Sequence, residues 1–235
     1  MAEFQSIGRR AIEAAKESHG RVIIAGGSGL HFRALVDPLS FAPTDPGVRA
    51  ELEALDLTEA VDRLVEADPM AGEYVDLANP RRVVRALEIA RLTGETPTER
   101  HTSAEAEAVR TYRSVVPFTG FGIDAGDRSG ERIEGRFHEM LELGLLDEVA
   151  RLQPHLGRTA AQAVGYKELL PVVRGEATIA AAAEDAIHAT RALAKRQRTF
   201  FRRDPRIRWL TWEDDTERGV DDAVAMLREL VEWTS

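Results

Sequence analysis

RVIIAGGSGL, Arg21 to Leu30, is the stretch on which the fold reading turns. It follows a helical segment and runs from apolar residues into glycines. Arg21 to Ala25 is therefore expected as a buried parallel strand, Gly26 to Gly29 as a turn, and a helix from about Leu30. Backbone N–H groups at such a turn can hold an anion. The competing reading is a tight turn that needs glycine torsions. No GxxxxGK[ST] occurs in the chain, so the turn is not a P-loop.

Outward from that turn, helices and strands alternate. Upstream, Phe4, Ile7, Ala11, Ile12 and Ala15 share a helical face that Gly20 closes. Downstream, Val48 to Thr93 is helical in pattern: Val48, Leu52 and Leu55 share one face, and Val61, Leu64 and Val65 another. Asn79 is an N-cap, Pro80 a first helical residue and Gly94 a stop. Glu95 to Arg113 reads as a polar loop with a little helix. Tyr112 to Ile123 resumes a strand pattern. Arg132 to Leu143 and Leu145 to Leu152 read as helices split by Gly144, Ile207 to Trp212 as a last strand and Asp221 to Glu232 as a last helix. Together these give an α/β class with a parallel sheet and a helical insertion, the core being 1–43 with 112–235 and the insertion 44–111. Three strands make a thin sheet, and the chain opens on a helix that needs a packing surface. Part of the domain is therefore expected upstream of Met1.

Composition narrows the chemistry. The chain has 235 residues and no cysteine, which excludes disulfides, thiolate metal sites and cysteine nucleophiles. No apolar run reaches the roughly 18–20 residues of a membrane span. The net charge is -9, yet His188 to Arg208, HATRALAKRQRTFFRRDPRIR, holds eight Lys or Arg and one acid. On a helix His188, Arg191, Lys195, Arg198 and Arg202 share a face, while Ile187, Thr190, Leu193, Ala194, Phe200 and Phe201 lie opposite. A polyanion suits such a row, since each neutralised phosphate releases counterions. A solvated face paired with acids is the alternative. A second cluster, Arg81, Arg82 and Arg85, lies on one side of the Asn79 to Gly94 helix; Arg85–Glu88 pairing is its bland explanation. QAVGYKELL, Gln162 to Leu170, offers an aromatic and a cation in a turn, suited to a nucleotide. The histidines have no metal-ligand spacing.

Taken in order, AEFQ, RVIIAGGSGLHFRALVDPLS, NPRRVVRALEIARLTGE, ERIEGRFHEMLELGLLDEVARL, QAVGYKELL and ATRALAKRQRTFFRR resemble the bacterial tRNA dimethylallyltransferases from about Ala2 to Trp209. The resemblance implies a P-loop-NTPase-like α/β core and a helical insertion that contacts tRNA. It implies transfer of a dimethylallyl group from dimethylallyl diphosphate to N6 of the adenosine after the anticodon. Mg²⁺ is expected as cofactor, with no ligand for it identified here. The tRNA anticodon stem-loop is the expected partner, a cytoplasmic monomer the expected state.

Carried over residue by residue, Ser28 stands where the family usually has threonine and would position the adenine. Arg49, Arg81, Arg82, Arg85, Gln162, Gly165, Tyr166, Lys167, Lys195, Arg196, Arg198 and Arg202 match tRNA-contacting regions. Arg132 and Arg136 align with arginines near the donor diphosphate. The family's phosphate loop and base aspartate precede the matching region, so the chain is expected to be N-terminally truncated and inactive alone. A noncatalytic tRNA-binding remnant is the alternative.

Overall fold

The first helix, α1 (Ala2–His19), stops at Gly20, whose φ of 70° is left-handed and whose N–H bonds the Lys16 carbonyl. In this computed structural model residues 1–124, 126 and 128–211 are described, together with 220, 221, 224, 225, 227 and 228. The chain divides into two units, Met1–Phe118 and Thr119–Ser235.

In the first unit α2 (Gly29–Val36) packs against α1. The Gln5 amide donates to the carbonyls of Ala34 and Leu39 at 2.9 and 2.8 Å, and Arg9 donates to that of Asp37 at 2.6 Å. Ile12, Leu35 and Val36 form a small core with Phe32, Val116 and Phe118 around them. Only Ile12 of the expected α1 face is buried; Phe4 and Ile7 are exposed.

The expected strand at Arg21–Ala25 is corrected. No strand forms there, and Val22, Ile23 and Ile24 are 40%, 77% and 50% exposed. An apolar run supplies side chains for a sheet, but a strand exists only where a neighbour's backbone pairs with it. The glycine-torsion reading of the turn is corrected too: the left-handed glycines do not include Gly26, Gly27 or Gly29.

Three further helices, α3 (Pro46–Glu53), α4 (Leu57–Ala67) and α5 (Pro80–Thr93), build a second core in this unit. Each starts on a side-chain cap: Asp45 accepts from the Val48 N–H, Asp56 from Glu59 and Asn79 from Arg82. Gly94, with φ 76°, ends α5 as expected. Leu52, Ala60, Leu64, Ala71, Val83, Ala86 and Leu87 fill the interior, with Val48, Leu55 and Val61 at its edge. Leu64 has no exposed surface, a burial worth about 2–3 kcal/mol. Val65, expected beside it, remains 37% exposed.

Glu95 to Arg113 holds more helix than expected: α6 (Pro97–Thr102) and α7 (Ala104–Arg110). Thr96 and Glu99 make a reciprocal capping box, which fixes the start of α6. Buried Asp68 accepts from the N–H and hydroxyl of Thr98, both at 2.8 Å. Of the expected strand from Tyr112 to Ile123 only the end is strand. Val116 and Phe118 instead pack on the α1–α2 core.

In the second unit β1 (Gly120–Asp124) and β2 (Ile207–Thr211) pair in parallel, in a register running from Gly120↔Ile207 to Asp124↔Thr211. The helices α8 (Ser129–Glu142), α9 (Leu145–Leu152), α10 (Tyr166–Val173) and α11 (Ile179–Phe201) accompany them. Gly144, at φ 99°, separates α8 from α9 where the sequence places the break. Phe137, Val149, Leu169, Ala182, Ala183, Ala186 and Ile187 are the core. The apolar side of α11 buries less than expected: Ile187 is buried, but Leu193 and Phe200 are 37% and 39% exposed. Trp212 and most of the helix expected at Asp221 to Glu232 lie outside the described residues.

Candidate nucleic-acid interface

Ser28 is the residue before the first turn of α2, with extended backbone at φ -92° and ψ 107°. Its hydroxyl makes no cap bond. It lies 2.6 Å from Nδ1 of His31, whose ring meets Phe4 edge-on at 4.5 Å. A hydroxyl has one proton and two lone pairs. When Nδ1 accepts that proton, the exposed oxygen keeps lone pairs for a donor such as an amine.

The arginines expected in the first unit are used unequally. Glu88 is fully buried and gathers Arg49 and Arg85, each at 2.6 Å, with the Asp45 N–H at 3.1 Å. Burial pushes this carboxyl up, but hydrogen bonds from Arg85, Arg49 and the Asp45 N–H outweigh it and hold the pKa below 4.5. Arg85 also donates to the carbonyls of Ala42 and Pro43. Pairing with Glu88, the bland explanation for Arg85, is therefore what the geometry contains. Arg49 pairs similarly but keeps 41% of its side chain exposed. Arg82 stands 3.8 Å from Asp76 and is largely exposed, and Arg81 is exposed beside it.

In the second unit the cation row of α11 meets acids at intervals. Arg191 pairs with Glu134 at 2.7 Å. Arg198 and Arg202 converge on Asp124, at the carboxyl end of β1, at 3.2 Å to one oxygen and 2.6 Å to the other. Burial pushes Asp124 up, yet bonds from Arg202 and the Gly126 N–H, and the charge and bond of Arg198, bring its pKa below 3.8. The Arg202 guanidinium also lies 5.5 Å from the Trp209 ring centre, a cation–π contact. Trp209 can lie there because its β1 partner is Gly122: a Cβ on Gly122 would fall 2.8 Å from the indole. Lys195 and Arg196 are exposed, with no ion pair among the described residues.

The Gln162–Lys167 turn is less open than its sequence implies. Gly165 takes φ 95° and donates its N–H to Glu168 at 2.8 Å. Tyr166 packs against the unit's core and donates its hydroxyl to Glu148, which raises the phenol's pKa. Gln162 and Lys167 remain exposed. On α8, Arg132 is half-buried and engaged, while Arg136 is exposed. A shallow depression in this unit is lined by Glu134, Glu184, Asp185, Ile187, His188 and Arg191; its acids suit no phosphate.

Among the described residues no three His, Cys, Asp or Glu side chains converge as a metal site. Mg²⁺, expected from the resemblance, takes one or two carboxylates together with substrate phosphates, and none of the described residues is assigned as its ligand. No helix among these residues is long and apolar enough to cross a membrane.

Asp124 and Trp209 carry no mark as site residues in the sequence, whereas Glu88 is legible only as the partner of Arg85. The placement of Asp124 at the end of an apolar strand was its only signal.

The family model described as IPP transferase matches residues 1–204. The tRNA dimethylallyltransferase of Bifidobacterium animalis subsp. lactis is 38% identical over 97% of this chain, which covers 64% of that protein. That of Paenarthrobacter aurescens is 41% identical over 97% of the chain and is covered to 72%. The chain thus spans about two thirds of its curated relatives' length. The crystal structure of the full-length tRNA isopentenylpyrophosphate transferase from Bacillus halodurans is similar with a TM-score of 0.60 and 30% identity, over 98% of this chain and 74% of that one. The α/β class read from the sequence agrees with these matches.

Proposed function

The chain belongs to the IPP transferase family, and on that premise we propose that it serves dimethylallyl transfer to N6 of the tRNA adenosine following the anticodon. The donor is dimethylallyl diphosphate. N6 attacks the donor carbon, an N–C bond forms, and the C–O bond breaks with its electron pair leaving on diphosphate. N6 releases one proton; no carboxylate of these residues is assigned as its base. The adenine must leave its stack for the amine to reach the carbon.

Within this reading, residues 1–43 with 112–235 are the α/β core and 44–111 the helical insertion. Ser28 orients the flipped adenine by accepting from its amine. Arg49, Arg81 and Arg82 contact tRNA phosphates from the first unit. Lys195, Arg196, Arg198 and Arg202, with Gln162 and Lys167, do so from the second. Arg132 and Arg136 face the departing diphosphate. The exposed cations at the end of α11 carry the reading: in a chain of net charge -9, Lys195 and Arg196 have no ion pair among the described residues, beside Arg198 and Arg202.

These 235 residues contain no GxxxxGK[ST] cradle. By themselves they are expected to hold tRNA without transferring to it, which keeps a noncatalytic tRNA-binding role as the second reading. The test is binding of an unmodified anticodon stem-loop with adenosine after the anticodon, against the same loop with uridine there. A labelled dimethylallyl transfer assay runs beside it. Preference for adenosine that Ser28→Ala loses and Ser28→Thr keeps supports the proposal. Equal, salt-independent binding of both loops overturns it. Turnover by these residues alone removes the second reading.

A further inference from the structure

We propose that Asp124 is a positioning residue for the RNA-binding arginines of α11, acting through Arg198 and Arg202. The inference rests on the tRNA-binding reading above and deepens it.

A carboxylate in a phosphate-binding surface is at first sight a fault, since it repels the ligand. The geometry gives it a use. Asp124 closes β1 and keeps only 13% of its side chain exposed. Its two oxygens take one arginine each, one turn apart: Arg198 in the last turn of α11 and Arg202 at its C-cap. Each guanidinium has five N–H donors, and only one nitrogen of each bonds Asp124. The remaining donors belong to side chains that are 48% and 59% exposed. The Trp209 ring supports Arg202, and Gly122 leaves room for that ring. Two arginines and one carboxylate leave a net positive charge, now on side chains that have already lost rotamer freedom. Ordering before binding removes an entropy cost that free arginines meet on contact. The position also fits α/β architecture, in which ligands meet the carboxyl ends of parallel strands.

Electrostatics and positioning give opposite signs for one variant. Asp124→Asn removes a negative charge near tRNA, so charge alone would tighten binding. If Asp124 acts by holding the arginines, binding instead weakens by about three- to tenfold. Its salt slope also falls by up to about 0.9 for each duplex phosphate an arginine leaves. Asparagine keeps Oδ1, which accepts from both the Gly126 N–H and Arg198, so the loss falls on Arg202, and a thermal melt checks the fold. The second arm is a double-mutant cycle with Arg198→Ala/Arg202→Ala: in that background Asp124→Asn is expected to weaken nothing further. Tighter binding by Asp124→Asn, or an equal loss in the arginine-free background, overturns the proposal. Wild-type chain that fails to bind tRNA overturns the proposed function, and this inference with it.

Discussion

Glu88 in the first unit and Asp124 in the second each gather two arginines, yet they differ in what they leave exposed. Glu88 has no exposed side chain; its partner Arg85 is 31% exposed and also satisfies two carbonyls, while its other partner Arg49 is 41% exposed. Asp124 is 13% exposed, and its partners are about half exposed. The same chemistry thus locks Arg85 into a joint in one place and presents both arginines in the other. The count of ion pairs does not separate the two; the donors left facing water do.

The comparison breaks first on stability. Glu88→Ala leaves Arg49 and Arg85 without their acid. It is expected to cost about 2–3 kcal/mol, less than the 3–5 of a fully buried pair because both arginines reach water. Denaturant unfolding measures it. A loss under about 0.5 kcal/mol would mean Glu88 is no joint.

Gly122→Ala tests the support beneath Arg202. The new Cβ would sit 2.8 Å from the Trp209 ring, so the indole must shift. About 1–2 kcal/mol of stability and a change in tryptophan fluorescence are expected. An unchanged spectrum would show that Trp209 is not held against this position.

Acid separates the units more gently. Buried Asp68 and Glu88 lie in the first unit, Asp124 and the exposed Glu176 in the second, and all four have lowered pKa values when folded; Glu176, paired with Arg174 at the surface, contributes least. A lowered folded pKa gives stability that is complete above the ordinary value, 3.8 for Asp and 4.5 for Glu. That stability is lost as pH falls through the folded value. All three tryptophans, Trp209, Trp212 and Trp233, lie beyond Phe118. On acidification below pH 4.5, circular dichroism should therefore lose signal before tryptophan fluorescence does. Coincident transitions would show that the units unfold together.

Much of the first unit was legible because its signals are local. Asn79, Pro80 and Gly94 mark α5 by chemistry that acts within one turn, and Gly144 marks the α8–α9 break in the same way. The α6 start was missed although Thr96 and Glu99 carry the capping-box spacing in plain view. Arg21 to Ala25 was misread because a strand is a property of two segments, and one segment's composition cannot supply the second. Site residues divided along the same line. Ser28 and the α11 cations could be named from resemblance and spacing. Distant partners could not: Asp124 is 74 residues from Arg198, and Glu88, legible beside Arg85, is 39 from its other partner Arg49. Resemblance named Tyr166, but nothing local announced that Glu148 would take its hydroxyl.

The smallest change gives the most direct test of a tRNA-facing α11. Lys195 and Arg196 are exposed and have no ion pair among the described residues, so replacing both with alanine removes charge while leaving Asp124 and its arginines in place. The measurement is anticodon stem-loop binding against salt, with Arg49→Ala as the comparison from the first unit and a thermal melt for each variant. The Lys195→Ala/Arg196→Ala chain should melt as wild type does, and its salt slope should fall by about 0.9 for each duplex phosphate lost, less on single strand. An unchanged slope with an unchanged melt would contradict a tRNA-facing α11 and leave its cations a solvated face.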